Sequence, residues 1–182
     1  ALMKTFLNDY GVRIGHAWGM SEMSPLGTYG SLKNRHLPLS QDQQLEVLAK
    51  QGRPIFGVDL KIVDEAGKEL PRDGKAFGEI LVRGSGVMSG YYKLDNDPTV
   101  DGWFPTGDVG TLDMDGYLQI TDRSKDVIKS GGEWISSIDL ENVAMAHPAV
   151  QEAAVIGVHH PKWDERPLLI IVKKPGQEAS RE

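Results

Sequence analysis

The sequence predicts an α/β fold that carries a small β-barrel-like subdomain and runs on into part of a small α+β domain. Three changes of pattern predict it. Apolar residues first recur at helical spacing. From Gly57 they alternate at period two in several short runs. After Asp122-Arg123 the order becomes hairpin, helix, strand, strand, which places a boundary at Ser124-Lys125 and domains at 1–123 and 124–182.

Leu2, Met3, Phe6, Leu7 and Tyr10 predict the opening helix, with Gly11 as its C-cap and a strand over 12–18. A polar loop over 27–40 leads to a second helix over about 41–51, capped by Ser40 and ended by Gly52-Arg53-Pro54. Val58, Leu60 and Ile62 form a strand that meets a hairpin-type turn at Asp64-Glu65-Ala66-Gly67-Lys68. Further strands fall at 79–83, 103–111 and 117–121, so close together that a small barrel or a distorted sheet is expected. Gly84-Ser85-Gly86 reads as a strand-end turn, and Asp113-Met114-Asp115-Gly116 as a hairpin turn that lacks the glutamate of a calcium loop.

In the second domain, 127–129 and 134–135 flank Ser130-Gly131-Gly132 as a glycine-tipped hairpin. A helix over 137–146 follows, with Ile138, Leu140, Val143 and Ala144 apolar and Pro148 at its end. Strands follow at 149–158 and 168–172, with Trp163 and Pro167 expected to pack the domain. His159 and His160 are adjacent on a strand, face opposite sides and are poorly placed to share a metal. Ser180 resembles an N-cap with no helix after it, and the chain reads as a piece of a larger protein.

Composition narrows the function. Of 182 residues, 40% are apolar and 25% charged, enough to bury a core. Twenty Lys and Arg against 26 Asp and Glu give a net charge of −6, which argues against a generally basic nucleic-acid binder. The absence of cysteine excludes disulfides, thiolate metal sites and a cysteine nucleophile. Apolar runs at 153–158 and 168–172 are far too short to span a bilayer, and no signal pattern opens the chain; the cytosol is the default expectation.

Three clusters carry chemistry. Trp18-Gly19-Met20-Ser21-Glu22 brings a ring, a glycine, a hydroxyl and a carboxylate together at a strand end. The ring can stack on a base, the hydroxyl can donate to phosphate, and the carboxylate can hold magnesium. In Phe104-Pro105-Thr106-Gly107-Asp108, Gly107 permits close backbone approach and Asp108 offers two acceptors to a ribose diol. The run from Asp122 to Glu133 sets a basic pair and a glycine hairpin around the domain boundary, an arrangement suited to an anionic ligand. Taken singly, each has a plain structural reading: a turn with an exposed Glu, a common Thr-Gly-Asp turn, a solvated charge cluster.

In order and approximate spacing, the three clusters resemble the motifs of the adenylate-forming superfamily, and within it the fatty acyl-CoA synthetases. They are similar to its aromatic-Gly-x-Thr/Ser-Glu, Thr-Gly-Asp and Arg-x-Lys-Asp-x-Ile-Lys-x-x-Gly motifs, and KSGGEWISSIDLEN is especially like medium- and long-chain members. The resemblance implies that 1–123 ends the large AMP-binding domain and that 124–182 begins a small mobile one. It implies that Trp18, where the family usually has Tyr, stacks on adenine beside Gly19 and Met20. Ser21 approaches the ATP phosphates, and Glu22 holds magnesium. Asp108 and Arg123 take the ribose hydroxyls, and Lys125 is the hinge. Lys129, Gly131, Gly132 and Glu133 belong to the hairpin that lines the pantetheine channel of CoA. The implied reaction joins a carboxylic acid to ATP as acyl-adenylate with release of pyrophosphate; the CoA thiol then displaces AMP.

The chain departs from the family pattern in two places. No Ser/Thr/Gly-rich phosphate loop precedes the first cluster, and neither Lys173 nor Lys174 falls where the adenylating lysine is expected. The piece alone is therefore expected to be inactive in adenylation and, with sheet edges unpaired, poorly soluble or homo-oligomeric. Alternatives are an aryl-CoA, acetyl-CoA or luciferase-like ligase, or a nucleotide-binding module without chemistry.

Overall fold

Helix α1, Leu2–Tyr10, closes where Gly11 takes φ +65° and donates to Leu7, while the Val12 amide donates to Phe6. The computed structural model describes residues 2–177, so the Ser180 cap lies outside the described residues. The strand expected over 12–18 contracts to β1, Ala17–Gly19, because among the described residues no strand lies beside 12–16 to give their alternation a ladder. Its partner β2, Leu26–Tyr29, lies inside the segment that reads as a loop. Four residues that include a glycine carry too little alternation to announce a strand, and pairing with β1 imposes it. Helix α2, Gln41–Ala49, starts with a reciprocal cap: the Gln43 amide donates to Ser40 Oγ, and the Ser40 amide donates to Gln43 Oε1. It stops short of Gln51, whose amide donates to Leu118 and whose side-chain oxygen accepts from the Ile120 amide. Arg53–Pro54 then forms β3, the third strand beside β2.

The period-two region becomes an antiparallel meander of β4 (Val58–Val63), β5 (Phe77–Gly84), β6 (Phe104–Leu112) and β7 (Leu118–Arg123), in that spatial order. It is an open sheet, not a closed barrel. The outer edge of β4 is covered by the 68–72 segment, where the Leu70 amide donates to Ile62 and Arg72 donates to Leu60. A covered edge needs no further strand. At the other edge a single bridge, Gly52 with Leu118, reaches toward the three-stranded sheet. Val58, Leu60, Ile62, Ile80, Val82, Phe104, Leu112 and Leu118 form the core, with Met23 buried among them and Trp18 and Met20 packed against it. The segment bearing the first cluster is thus seated on the sheet by its own apolar residues.

The chain divides into two compact units, Ala1–Ile120 and Thr121–Glu182, and the division falls within β7. In the second unit β8 (Ile128–Ser130) and β9 (Glu133–Ile135) form the glycine-tipped hairpin. Helix α3, Ser137–Met145, is capped by Ser136. The long ribbon of β10 (Val150–His160) and β11 (Asp164–Lys173) completes a sheet ordered β10-β11-β8-β9, with α3 against β10. Glu141 on α3 accepts from the Val155 amide at 2.9 Å.

Candidate functional site

Trp18 and Gly19 end β1, and Ser21–Met23 is a single 3-10 turn with Ser24 at φ +56° behind it. Gly19 is required by contact, since a Cβ there would collide with the Pro25 carbonyl oxygen. Ser21 is exposed and Glu22 half-buried at the mouth of this turn. The Tyr91 hydroxyl donates to Glu22 Oε1 at 3.1 Å, and the Met88 amide donates to the Glu22 carbonyl at 2.8 Å. The hydrogen bond to the Glu22 carboxylate, assisted by burial, raises the Tyr91 phenol above its ordinary pKa.

The second cluster sits on a β-bulge. Leu81 pairs with Pro105 and Glu79 with Val109, so β6 spends four steps where β5 spends two. Thr106, Gly107 and Asp108 thus stand opposite the single Ile80, two residues more than a regular ladder holds. Thr106 Oγ1 donates to the Ile80 carbonyl at 2.9 Å and accepts from the Asp108 amide at 3.2 Å. Gly107 takes φ +75°, while a Cβ there would meet nothing within 4 Å, so its need within this chain is conformational. A bulge of this kind re-aims one side chain, here Asp108, which is 6% exposed. Its Oδ2 accepts from the Trp18 indole N–H at 2.8 Å. Two clusters that are 90 residues apart in sequence therefore meet through one side-chain bond.

Among the described residues no three His, Cys, Asp or Glu side chains gather into a metal cage. A lone half-buried Glu22 fits an ion of the magnesium type, which keeps several waters and shares its remaining ligands with substrate phosphates.

The second unit holds the other candidate residues on one short stretch. Asp122 is buried, its Oδ2 accepting from both the amide and hydroxyl of Ser137 at 2.7 and 2.8 Å, which ties the end of β7 to the start of α3. Arg123 is exposed next to it. Amides of Asp126 and Val127 both donate to the Arg123 carbonyl, closing a turn that leaves Lys125 exposed. On the hairpin Gly131 and Gly132 take φ +62° and +85°, and the Gly131 amide donates to the Trp163 carbonyl at 2.9 Å. The Lys129 ammonium lies 5.2 Å from the centre of the Trp134 ring, and its amide donates to Glu165. Glu133 is exposed.

Sequence reasoning missed Tyr91 and the anchoring role of Asp122. Gly90-Tyr91-Tyr92 in a polar loop is the only local sign of the first, and nothing in the sequence marks Asp122 as more than one acid in a charged run. It also missed a partly exposed network in the first unit, where Lys33, Arg35 and His36 converge on Asp115.

The bond from the Trp18 indole to Asp108 joins the first two clusters within the first unit. The family model for AMP-binding enzymes matches residues 1–92, and that for the AMP-binding enzyme C-terminal domain matches 139–182. The chain belongs to the AMP-binding, adenylate-forming enzyme family. It is 57% identical to the 3-methylmercaptopropionyl-CoA ligase of Ruegeria lacuscaerulensis over 99% of its own length and 34% of that protein. It is 51% identical to the medium-chain-fatty-acid–CoA ligase of Ectopseudomonas oleovorans, over 99% of its length and 33% of the relative. ATP-bound MatB from Rhodopseudomonas palustris superposes with a TM-score of 0.75 at 31% identity, covering 98% of this chain and 34% of MatB. The chain thus spans about a third of the length of the curated relatives it matches.

Proposed function

We propose that the protein containing this chain is an AMP-forming acid–thiol ligase that activates a fatty acid for transfer to CoA. The observation that carries the reading is the bond between Trp18 and Asp108, which joins an aromatic surface for a base to an acceptor for a ribose diol. In this reading the acid's carboxylate oxygen attacks the α-phosphorus of ATP, a phosphorus–oxygen bond to pyrophosphate breaks, and an acyl-adenylate remains. The CoA thiol then attacks the acyl carbon, its proton is lost, and AMP departs.

Trp18, with Gly19 and Met20, receives adenine, Ser21 donates toward the phosphates, and Asp108 with Arg123 holds the ribose. Glu22 holds magnesium, which when bound neutralises charge on the phosphates. Residues 1–123 act as the end of the nucleotide-binding domain and 124–182 as the start of a mobile one that pivots at Lys125. Lys129, Gly131, Gly132 and Glu133 then line the path of the CoA arm. No helix among the described residues is long and apolar enough to cross a membrane, and a cytoplasmic setting suits water-borne ATP and CoA. Exposed Leu168, Leu169, Ile170, Ile171 and Val172 on β11 favour self-association of the isolated piece.

The relative at 57% identity favours a second substrate reading, a short thioether acid. Pyrophosphate release by the full-length protein, measured across straight-chain fatty acids, 3-(methylthio)propionate, acetate and benzoate, separates the readings. The fatty acids should give the highest kcat/KM. A maximum with the thioether acid moves the assignment to that substrate, and no acid-dependent release with any of them sinks the ligase reading.

A further inference from the structure

Trp18 does more than offer a ring. Its indole N–H is a donor with no acceptor capacity, and it is spent on Asp108 Oδ2 at 2.8 Å. The ring has little freedom to turn away. It packs against the sheet core, and buried Gly27 leaves room for it, since a Cβ on Gly27 would stand 3.0 Å from Trp18 Cζ3. Asp108 is equally constrained from the other side by the bulge, with Thr106 holding its amide and Gly107 holding the backbone at φ +75°. The plane of the carboxylate is therefore set by two elements at once.

We infer that Trp18 is a positioning residue for ribose selectivity: by committing one oxygen of Asp108, its N–H fixes how the carboxylate meets the ribose diol. This rests on the reading of Asp108 as the ribose acceptor. A tyrosine at this position would carry its polar atom at the far end of the ring, as a hydroxyl that can donate or accept, so it would not fix Asp108 in the same way.

The test compares ATP with 2′-deoxy-ATP and 3′-deoxy-ATP in the acid-dependent pyrophosphate release of the full-length protein. Trp18→Phe keeps an aromatic face, smaller by the five-membered ring, and removes the N–H. It should raise KM for ATP about tenfold, the scale of a hydrogen bond to a charged group. Against the deoxynucleotide that lacks the hydroxyl read by Asp108, the cost should fall to about twofold, so the preference for ATP shrinks about fivefold. Trp18→Leu should lose the same selectivity on top of a larger uniform loss, and it serves if the phenylalanine variant does not fold. In an Asp108→Asn background, Trp18→Phe should change selectivity no further. An equal loss on all three nucleotides overturns the inference and leaves Trp18 as a stacking surface alone. A parent enzyme that releases pyrophosphate yet does not distinguish ATP from either deoxynucleotide overturns the ribose role of Asp108, and the inference falls with it. Absence of any nucleotide turnover instead counts against the ligase reading.

Discussion

The two regions that hold the candidate residues are built on opposite principles. In the first unit, Trp18 and Asp108 are fixed by side-chain contact, a core beneath them and a bulge that admits one backbone shape. In the second, Arg123 and Lys125 stand exposed on a turn closed by two backbone bonds to one carbonyl. Preorganised groups suit binding that must not reorganise during chemistry. A short exposed turn suits a hinge, because its φ and ψ can change locally. Buried Asp122, before the turn, is bonded to Ser137 beyond it, so a pivot at Lys125 must break those two bonds.

The largest test of the fixed region is Glu22→Gln in the full-length protein. Glutamine keeps the shape and the acceptor for the Tyr91 hydroxyl but removes the charge. Adenylation should fall by about two orders of magnitude, the scale of metal-assisted charge stabilisation. Thioester formation from supplied acyl-adenylate should fall far less, since it uses no ATP. Equal losses in both half-reactions would make Glu22 a structural residue.

Next is Gly131→Ala, which strikes the rigid part of the second unit. Its φ is +62°, and a Cβ would lie 2.8 Å from Trp163 Cε3, so the substitution adds a left-handed penalty to a ring contact. A loss of about 2 kcal/mol is expected in denaturant unfolding. Gly132→Ala, with φ +85° and open space around it, should cost about half as much. Equal costs would mean that backbone strain alone decides and that the packing on Trp163 is slack.

These tests fall on features that the sequence reveals unequally. Both glycines at the hairpin tip are legible because residues on either side alternate and two adjacent glycines permit positive φ. Helix α2 is legible from Ser40 and Gln43, whose reciprocal cap is a local property. Strands β2 and β3 are not, because β2 exists by pairing with β1 and β3 by pairing with β2, both tertiary events. The open sheet is not legible either, since strand spacing carries no information on whether a loop such as 68–72 will cover an edge. Trp18 and Asp108 each stand out in their own cluster, but their bond depends on two extra residues in β6 that only the register exposes.

The hinge is tested third by Lys125→Pro. Proline fixes φ near −65° and pushes the preceding Ser124 toward extended backbone, against the turn that the Asp126 and Val127 amides close on Arg123. Adenylate formation should survive, while transfer to CoA drops about tenfold, equivalent to about 1.4 kcal/mol in the barrier. Lys125→Ala should be mild in both steps because the exposed ammonium is not what turns. Transfer at the parent rate in the proline variant, or alanine as damaging as proline, would end the hinge assignment.

The smallest effect is expected from Asp115→Asn, which asks how far the rigidity of the first unit extends. Asp115 lies on the turn between β6, which carries Asp108, and β7. Burial raises its pKa, but the hydrogen bond from Lys33, the charges of Lys33 and Arg35 and the contact with His36 outweigh burial and hold it below the usual carboxylate range. The folded protein thus favours the ionised form. Its contribution to stability is present above the unfolded carboxylate value and is lost as pH falls through the lower folded one. Asparagine should cost about 1 kcal/mol at neutral pH, because the exposed parts of Lys33 and Arg35 can turn back to water. Between about pH 5 and about pH 3 the melting midpoint of the parent should fall more steeply than that of Asp115→Asn, since only the parent has this proton to take up. Parallel curves would show that the cations around Asp115 do not stabilise its charge. A fivefold or greater rise in KM for ATP, out of proportion to the lost stability, would show instead that the clamp reaches Asp108 through the hairpin.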